Sequence, residues 1–205
     1  MTRRAVQVIA VVAVAVVGVW LLFYALPRRY GRNAQGPVAP AGTPAAAPER
    51  KINATLYYIA EDGMSLVGMP REVPFGEPVA EQARRIVEAQ LAAAPAPLAA
   101  AVPEGTTLRG VYVTERDCEG AAAAACQRDA FVDLSAEART RHTGGALDEL
   151  FTIYAIVDAV TVNLPAISRV QILVDGKEVD TLAGHVDLRH PLEKNLKWVK
   201  TEKGD

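Results

Sequence analysis

The chain is poor in the residues that most enzymes and small disulfide-built proteins rely on. It has two cysteines, three histidines and 6% aromatics in 205 residues. Two cysteines cannot staple a disulfide-dense mini-domain, and three histidines leave few possible members for a histidine-based site. No acidic residue occurs before Glu49, and no charge of either sign lies between Ala5 and Pro27 or between Asn33 and Pro48. Five of the 22 basic residues precede Glu49, so 17 face all 24 acidic ones in the remainder, a net charge of −7. A surface of that sign disfavours nucleic acid, whose phosphates are met by Lys and Arg. A hydrophobic content of 50% also excludes a disordered chain.

The apolar residues are concentrated at the start. Ala5 to Leu26 has Gln7 as its one strongly polar side chain, a run long enough as a helix to cross a hydrocarbon core of about 30 Å. Trp20, Phe23 and Tyr24 sit where an interfacial aromatic belt belongs, and Arg28, Arg29 and Arg32 follow. The expectation is a retained transmembrane anchor over residues 1–30. A cleaved signal peptide is the alternative, disfavoured by the length of the run and the absence of a clear cleavage site. Residues 31–49, rich in Ala, Pro and Gly, read as a semi-rigid tether reaching up to roughly 50 Å.

A folded domain is expected over residues 50–192, followed by a lysine-rich, loosely held tail at 193–205. Thr55 to Ala60, the turn Glu61-Asp62-Gly63 and a return over Ser65 to Val73 read as a hairpin. Val79, Ala83, Ile86, Val87 and Leu91 recur at helical spacing, with Glu81, Arg84, Arg85 and Glu88 placed for i,i+4 pairs. Thr107 to Thr114 and Ala130 to Ser135 should pair as strands. A second helix opens at Thr143-Gly144-Gly145, is apolar almost all round from Leu150 to Leu164, and so needs a sheet on one side and a further layer on the other. Val170, Ile172 and Val174 alternate as a strand leading into the turn Asp175-Gly176. The order predicts an α+β fold, a small antiparallel or mixed sheet packed with two main helices.

Cys118 and Cys126 flank an alanine-rich excursion and read as its closing disulfide, two free thiols being the alternative. A disulfide places the domain outside the cytoplasm, orienting the anchor. His185 and His190 near Asp187 form an incomplete ligand set, so a structural role outweighs a metal site. Ser135 lacks a nucleophile elbow and reads as a cap or turn residue. Gly144 and Gly145 are most simply a turn, or a helix start whose N–H groups receive a carboxylate or sugar oxygen. Asp158 on the apolar helix needs either a structural partner or a ligand. No catalytic residue, metal or cofactor is expected.

Leu56-Tyr57-Tyr58, Pro103 to Leu108, Val132-Asp133-Leu134-Ser135, Gly144-Gly145, Ile172 to Gly176 and Gly184 to Leu188 occur in an order and spacing that resembles the GerMN domain of sporulation and germination proteins. The resemblance covers residues 52 to 192. It implies a membrane-anchored or secreted, non-catalytic module similar to ring-building domains, with His185 and His190 on a closing strand. It also implies a role in assembling a cell-envelope complex, with envelope proteins as partners. Direct binding of peptidoglycan, or service as cofactor to a wall hydrolase, is the alternative. Tyr57, Tyr112 and Phe75 are the few aromatics available for a polymer surface. The longer excursion at 115–128 and the single module depart from the family pattern.

Overall fold

The computed structural model describes Val16, Trp20 and residues 50–116 and 126–200. Among these no helix is long and apolar enough to cross a membrane. The expected anchor lies outside them except for Val16 and Trp20, and the tether and Cys118 lie outside them altogether. Two compact units divide between Ala47 and Pro48, and the second holds the strands and helices that follow.

Strands β1 (Lys51–Ile59) and β2 (Leu66–Pro74) pair antiparallel without a slip, from Lys51 opposite Pro74 to Ile59 opposite Leu66. Helix α1 (Val79–Gln90) carries its charged residues outward, with Arg84–Glu88 and Arg85–Glu81 bridges of 3.0 Å. Strands β3 (Leu108–Arg116) and β4 (Gln127–Leu134) are antiparallel, as their sequence suggests. A single helical turn, α2 (Glu137–Thr140), leads to the 18-residue helix α3 (Ala146–Asn163). Helix α3 is the crossover that returns the chain to β5 (Ile167–Val174), parallel to β4. Two short strands, β6 (Lys177–Glu178) and β7 (Leu192–Glu193), then pair with opposite ends of β5.

The fold is α+β, but it has two sheets where one was expected: the β1–β2 hairpin stands apart from the mixed sheet β3-β4-β5. Helix α3 explains the separation. Its Ile153, Ile156, Val157 and Val160 pack with Ala130, Val132, Val170 and Ile172 of the mixed sheet. Its Phe151, Ala155 and Ala159 pack with Leu56, Tyr58, Leu66 and Val73 of the hairpin. The helix is thus the middle layer, which is why it is apolar on all sides. Helix α1 joins both clusters, through Ala83 and Val87 on one side and Ile86 on the other.

Among the described residues no strand neighbours the free edge of β1. Side-chain amides take its place. The Gln90 carboxamide at the end of α1 accepts from Tyr57 N–H (2.9 Å) and donates to Tyr57 O (2.6 Å). Asn163 at the end of α3 does the same for Thr55, both at 2.8 Å, and Ala99 exchanges backbone bonds with Ile59. Each carboxamide supplies one donor and one acceptor, the complement of one strand residue.

Two expectations are corrected. Residues 184–188 form an irregular loop and not a closing strand, because β5 is flanked only at its ends by β6 and β7. Residues 192–200 are not loose: β7 pairs with β5, Asn195 N–H donates to Asp158, and Lys200 N–H donates to Leu66 O.

Replacing Gln90 by Leu removes both Tyr57 bonds while keeping apolar bulk. Leaving two buried backbone groups unpaired should lower unfolding free energy by about 2–4 kcal/mol, measured by urea denaturation. An effect within error of zero would show that the edge gains nothing from the carboxamide.

Candidate functional site

The residues singled out in the sequence do not converge. Gly145 and Asp158 lie at opposite ends of α3, about 20 Å apart along the helix at 1.5 Å per residue. Cys126 lies immediately before β4 and is disulfide-bonded.

The start of α3 borders a cleft of about 430 Å³ lined by Ala101, Glu104, Arg141, His142, Asp148 and Thr152 among others. Gly144 has φ +95°, a left-handed conformation that glycine adopts without strain, so the turn reading of this pair holds. Gly145 lets a carboxylate come close instead. A Cβ there would lie 2.8 Å from Asp148 Oδ2, which itself accepts from the Thr143 hydroxyl at 3.1 Å. The helix start is therefore faced by the protein's own carboxylate, a placement that suits the helix dipole.

His142 is held in one tautomer. Gly144 N–H donates to Nδ1 at 3.0 Å, so in the neutral ring Nε2 carries the proton and donates to Thr152 Oγ1 at 3.3 Å. The Thr152 hydroxyl proton in turn goes to Ala101 O at 2.6 Å. The imidazole lone pair is spent on a backbone amide, so this His–Thr pair is wired the wrong way for a base to activate a hydroxyl.

The most elaborate polar constellation centres on Glu149, in the first turn of α3. Glu149 is fully buried. Its Oε1 accepts from Leu182 and Ala183 N–H, both at 2.8 Å, and its Oε2 from His185 N–H at 2.7 Å and the His185 ring at 3.1 Å. Burial pushes the carboxyl up, but the three amides and the His185 ring outweigh it and hold it below its ordinary value. Glu149 thus pins the loop between β6 and β7 to the helix. His185 is accounted for by this role, while Asp187 pairs with Arg189 at 2.7 Å. Among the described residues no group of three His, Cys, Asp or Glu side chains is placed to hold a metal ion.

Ser135 also has the turn role read for it: its Oγ accepts from Thr107 N–H at 3.0 Å. Asp133 accepts from Gly176 N–H at 2.7 Å and from Arg109, which shapes the β5–β6 turn. Asp158 has a structural partner, Asn195 N–H, at 2.8 Å from Oδ1. The expected aromatic surface shrinks. Tyr57 is buried, the Arg50 guanidinium covers Phe75 at 3.8 Å, and Tyr112 alone of the three is well exposed, at 59%.

A family model described as Germane, sporulation and spore germination, matches residues 55–180. Solved structures are also similar to the chain. A candidate lipoprotein of Clostridium perfringens is 22% identical at a TM-score of 0.47, over 72% of this chain and 92% of that one. The tandem GerMN domains of the sporulation protein GerM from Bacillus subtilis are 19% identical at 0.49, over 70% and 46%. The first of those domains alone is 19% identical at 0.48, over 69% and 97%. No curated protein matches the chain.

Replacing Glu149 by Gln should cost about 3 kcal/mol at pH 7, since several amides lose an ionised acceptor. Because the folded-state pKa is lowered, the stabilisation is present above the ordinary glutamate value of 4.5 and lost as pH falls below it. The difference in melting temperature between wild type and variant should therefore shrink from pH 6 to pH 3. A constant difference would assign the loss to shape and not to charge.

Proposed function

The chain belongs to the Germane family of sporulation and spore germination, and from this we propose that it is a non-catalytic, membrane-anchored module. Its domain would work outside the cytoplasm, in the periplasm of a two-membrane cell, and support assembly of a cell-envelope complex. In this reading residues 1–30 hold it in the membrane, residues 31–49 set its reach, and residues 50–192 bind envelope proteins.

The observation that carries the non-catalytic reading is the wiring of the cleft: His142 has given its lone pair to Gly144 N–H, and Thr152 has given its proton to Ala101 O. The His142–Thr152 pair can accept or position a polar group but supplies no imidazole base to the hydroxyl beside it. The family is likewise defined by a cellular process and not by a reaction. The extracytoplasmic address is supported by the disulfide at Cys126, a bond that persists in oxidising compartments, and Cys118 is the only other cysteine.

The exposed Tyr112 gives the test a handle. Val111 and Val113 turn towards the core, so Tyr112 points from the opposite face of the mixed sheet. A photo-reactive residue at this position in the full-length chain should give discrete cross-links to envelope proteins in cells. If it gives none, and detergent-solubilised protein sediments with purified sacculi, the role is peptidoglycan recognition. Release of soluble muropeptides by a pure preparation would make the protein an enzyme and end the proposal.

The double change Cys118→Ser and Cys126→Ser should lower thermal stability by a few degrees and leave the cross-links in place. Loss of the cross-links with stability intact would make the excursion the binding element.

A further inference from the structure

The last described segment, residues 194–200, crosses from the mixed sheet to the hairpin and is held at few points. At its near end Asn195 N–H donates to Asp158 Oδ1. At its far end Lys200 N–H donates to Leu66 O, its ammonium pairs with Asp62, and Val199 makes a lone parallel bridge to Leu66. Between them Leu196 and Trp198 remain 44% and 38% exposed. Beneath it Tyr57 is 3% exposed, and Leu196 and Val199 wall a groove of about 450 Å³ with Thr55, Tyr57, Gly68 and Pro70.

Asp158 is an awkward anchor. It is fully buried, and its Oδ2 has no hydrogen-bond partner among the described residues. An ionised carboxylate with one satisfied oxygen is costly in such a place and would be relieved by water. The charged and titratable groups acting on it are Lys194 in the segment and Tyr57 on β1, and Tyr154 lies one turn away on its own helix.

We propose that residues 194–200 are a pH-dependent strap, closed over Tyr57 when Asp158 is protonated and loosened when it is ionised. Burial pushes the Asp158 carboxyl up to about 6, with the Asn195 N–H and the Lys194 charge pulling it down. Tyr57 is pushed up to about 12 by burial and by the Asp158 charge. Opening the strap returns Asp158 to water and to its ordinary value of 3.8. The closed form therefore binds the proton more tightly. By linkage the ratio of closed to open strap is greatest below pH 4 and falls as pH rises through about 6, by up to about a hundred-fold. Opening uncovers Tyr57, the groove and the backbone of β2 at Leu66.

The test uses the full chain in detergent with Trp20→Phe, which leaves Trp198 as the only indole. Raising pH from 5 to 8 should shift Trp198 emission to the red with a midpoint near 6. Over the same range the exchange protection of the Asn195 and Lys200 amides, corrected for intrinsic rate, should fall about ten-fold while Ile172 in β5 is unchanged. Asp158→Asn should abolish the transition. Should that variant not fold, Lys200→Ala loosens the far end and should move the midpoint down. A flat Trp198 signal, the same midpoint in Asp158→Asn, an unmoved midpoint in Lys200→Ala, or equal loss of protection at Ile172 would each overturn the proposal.

Discussion

A helix that is apolar on every side must be covered on every side, and helix α3 imposes that condition on the whole domain. Its Ile153, Ile156, Val157 and Val160 take the mixed sheet, and its Phe151, Ala155 and Ala159 take the hairpin. The two alanines give that side little bulk of its own. Both hydrophobic clusters therefore run through one helix, and neither sheet has a core without it. The crossover that makes β4 and β5 parallel neighbours is the same segment, so topology and packing depend on one element.

Hydrophobic cover leaves backbone groups to be satisfied at the seams, and a set of buried or half-buried polar side chains meets that need. Gln82 accepts from Gly76 N–H and donates to Pro74 O, Gln90 and Asn163 stand in for a strand beside β1, and Glu149 gathers the loop after β6. These contacts specify position as well as adding stability, because each has two or more bonds whose geometry must be met together. They also explain why polar residues with the look of active-site groups are occupied. His142, Thr152 and Glu149 are among those already holding main chain.

The features legible in the sequence are those whose cause is local. The Asp62-Gly63 turn, the Glu81–Arg85 spacing of α1, the alternation Val170-Ile172-Val174 and the left-handed Gly144 each rest on neighbours a few residues away. The demand of α3 for two covering layers was legible too, from its uniform apolarity. What was not legible spans long separations. Glu149 meets its partners 33 to 36 residues on, Asn163 meets Thr55 across 108, and nothing adjacent to either marks the pairing. The same blindness made Tyr57 look like a surface aromatic and the lysine-rich segment look loose. Lysine heads remain in water while Asn195, Leu196 and Val199 make the contacts, so composition hid the attachment.

The carboxamides at the edge of β1 bear on mechanics. The segment that precedes the domain enters at Lys51, so a pull through it is applied along the axis of β1. The bonds from β1 to β2, to Gln90 and to Asn163 run across that axis, on both sides of the strand. Such a pull loads them together in shear, where a strand paired on one side from its tip would peel one bond at a time. A domain built this way resists tension at the end where a tether would deliver it.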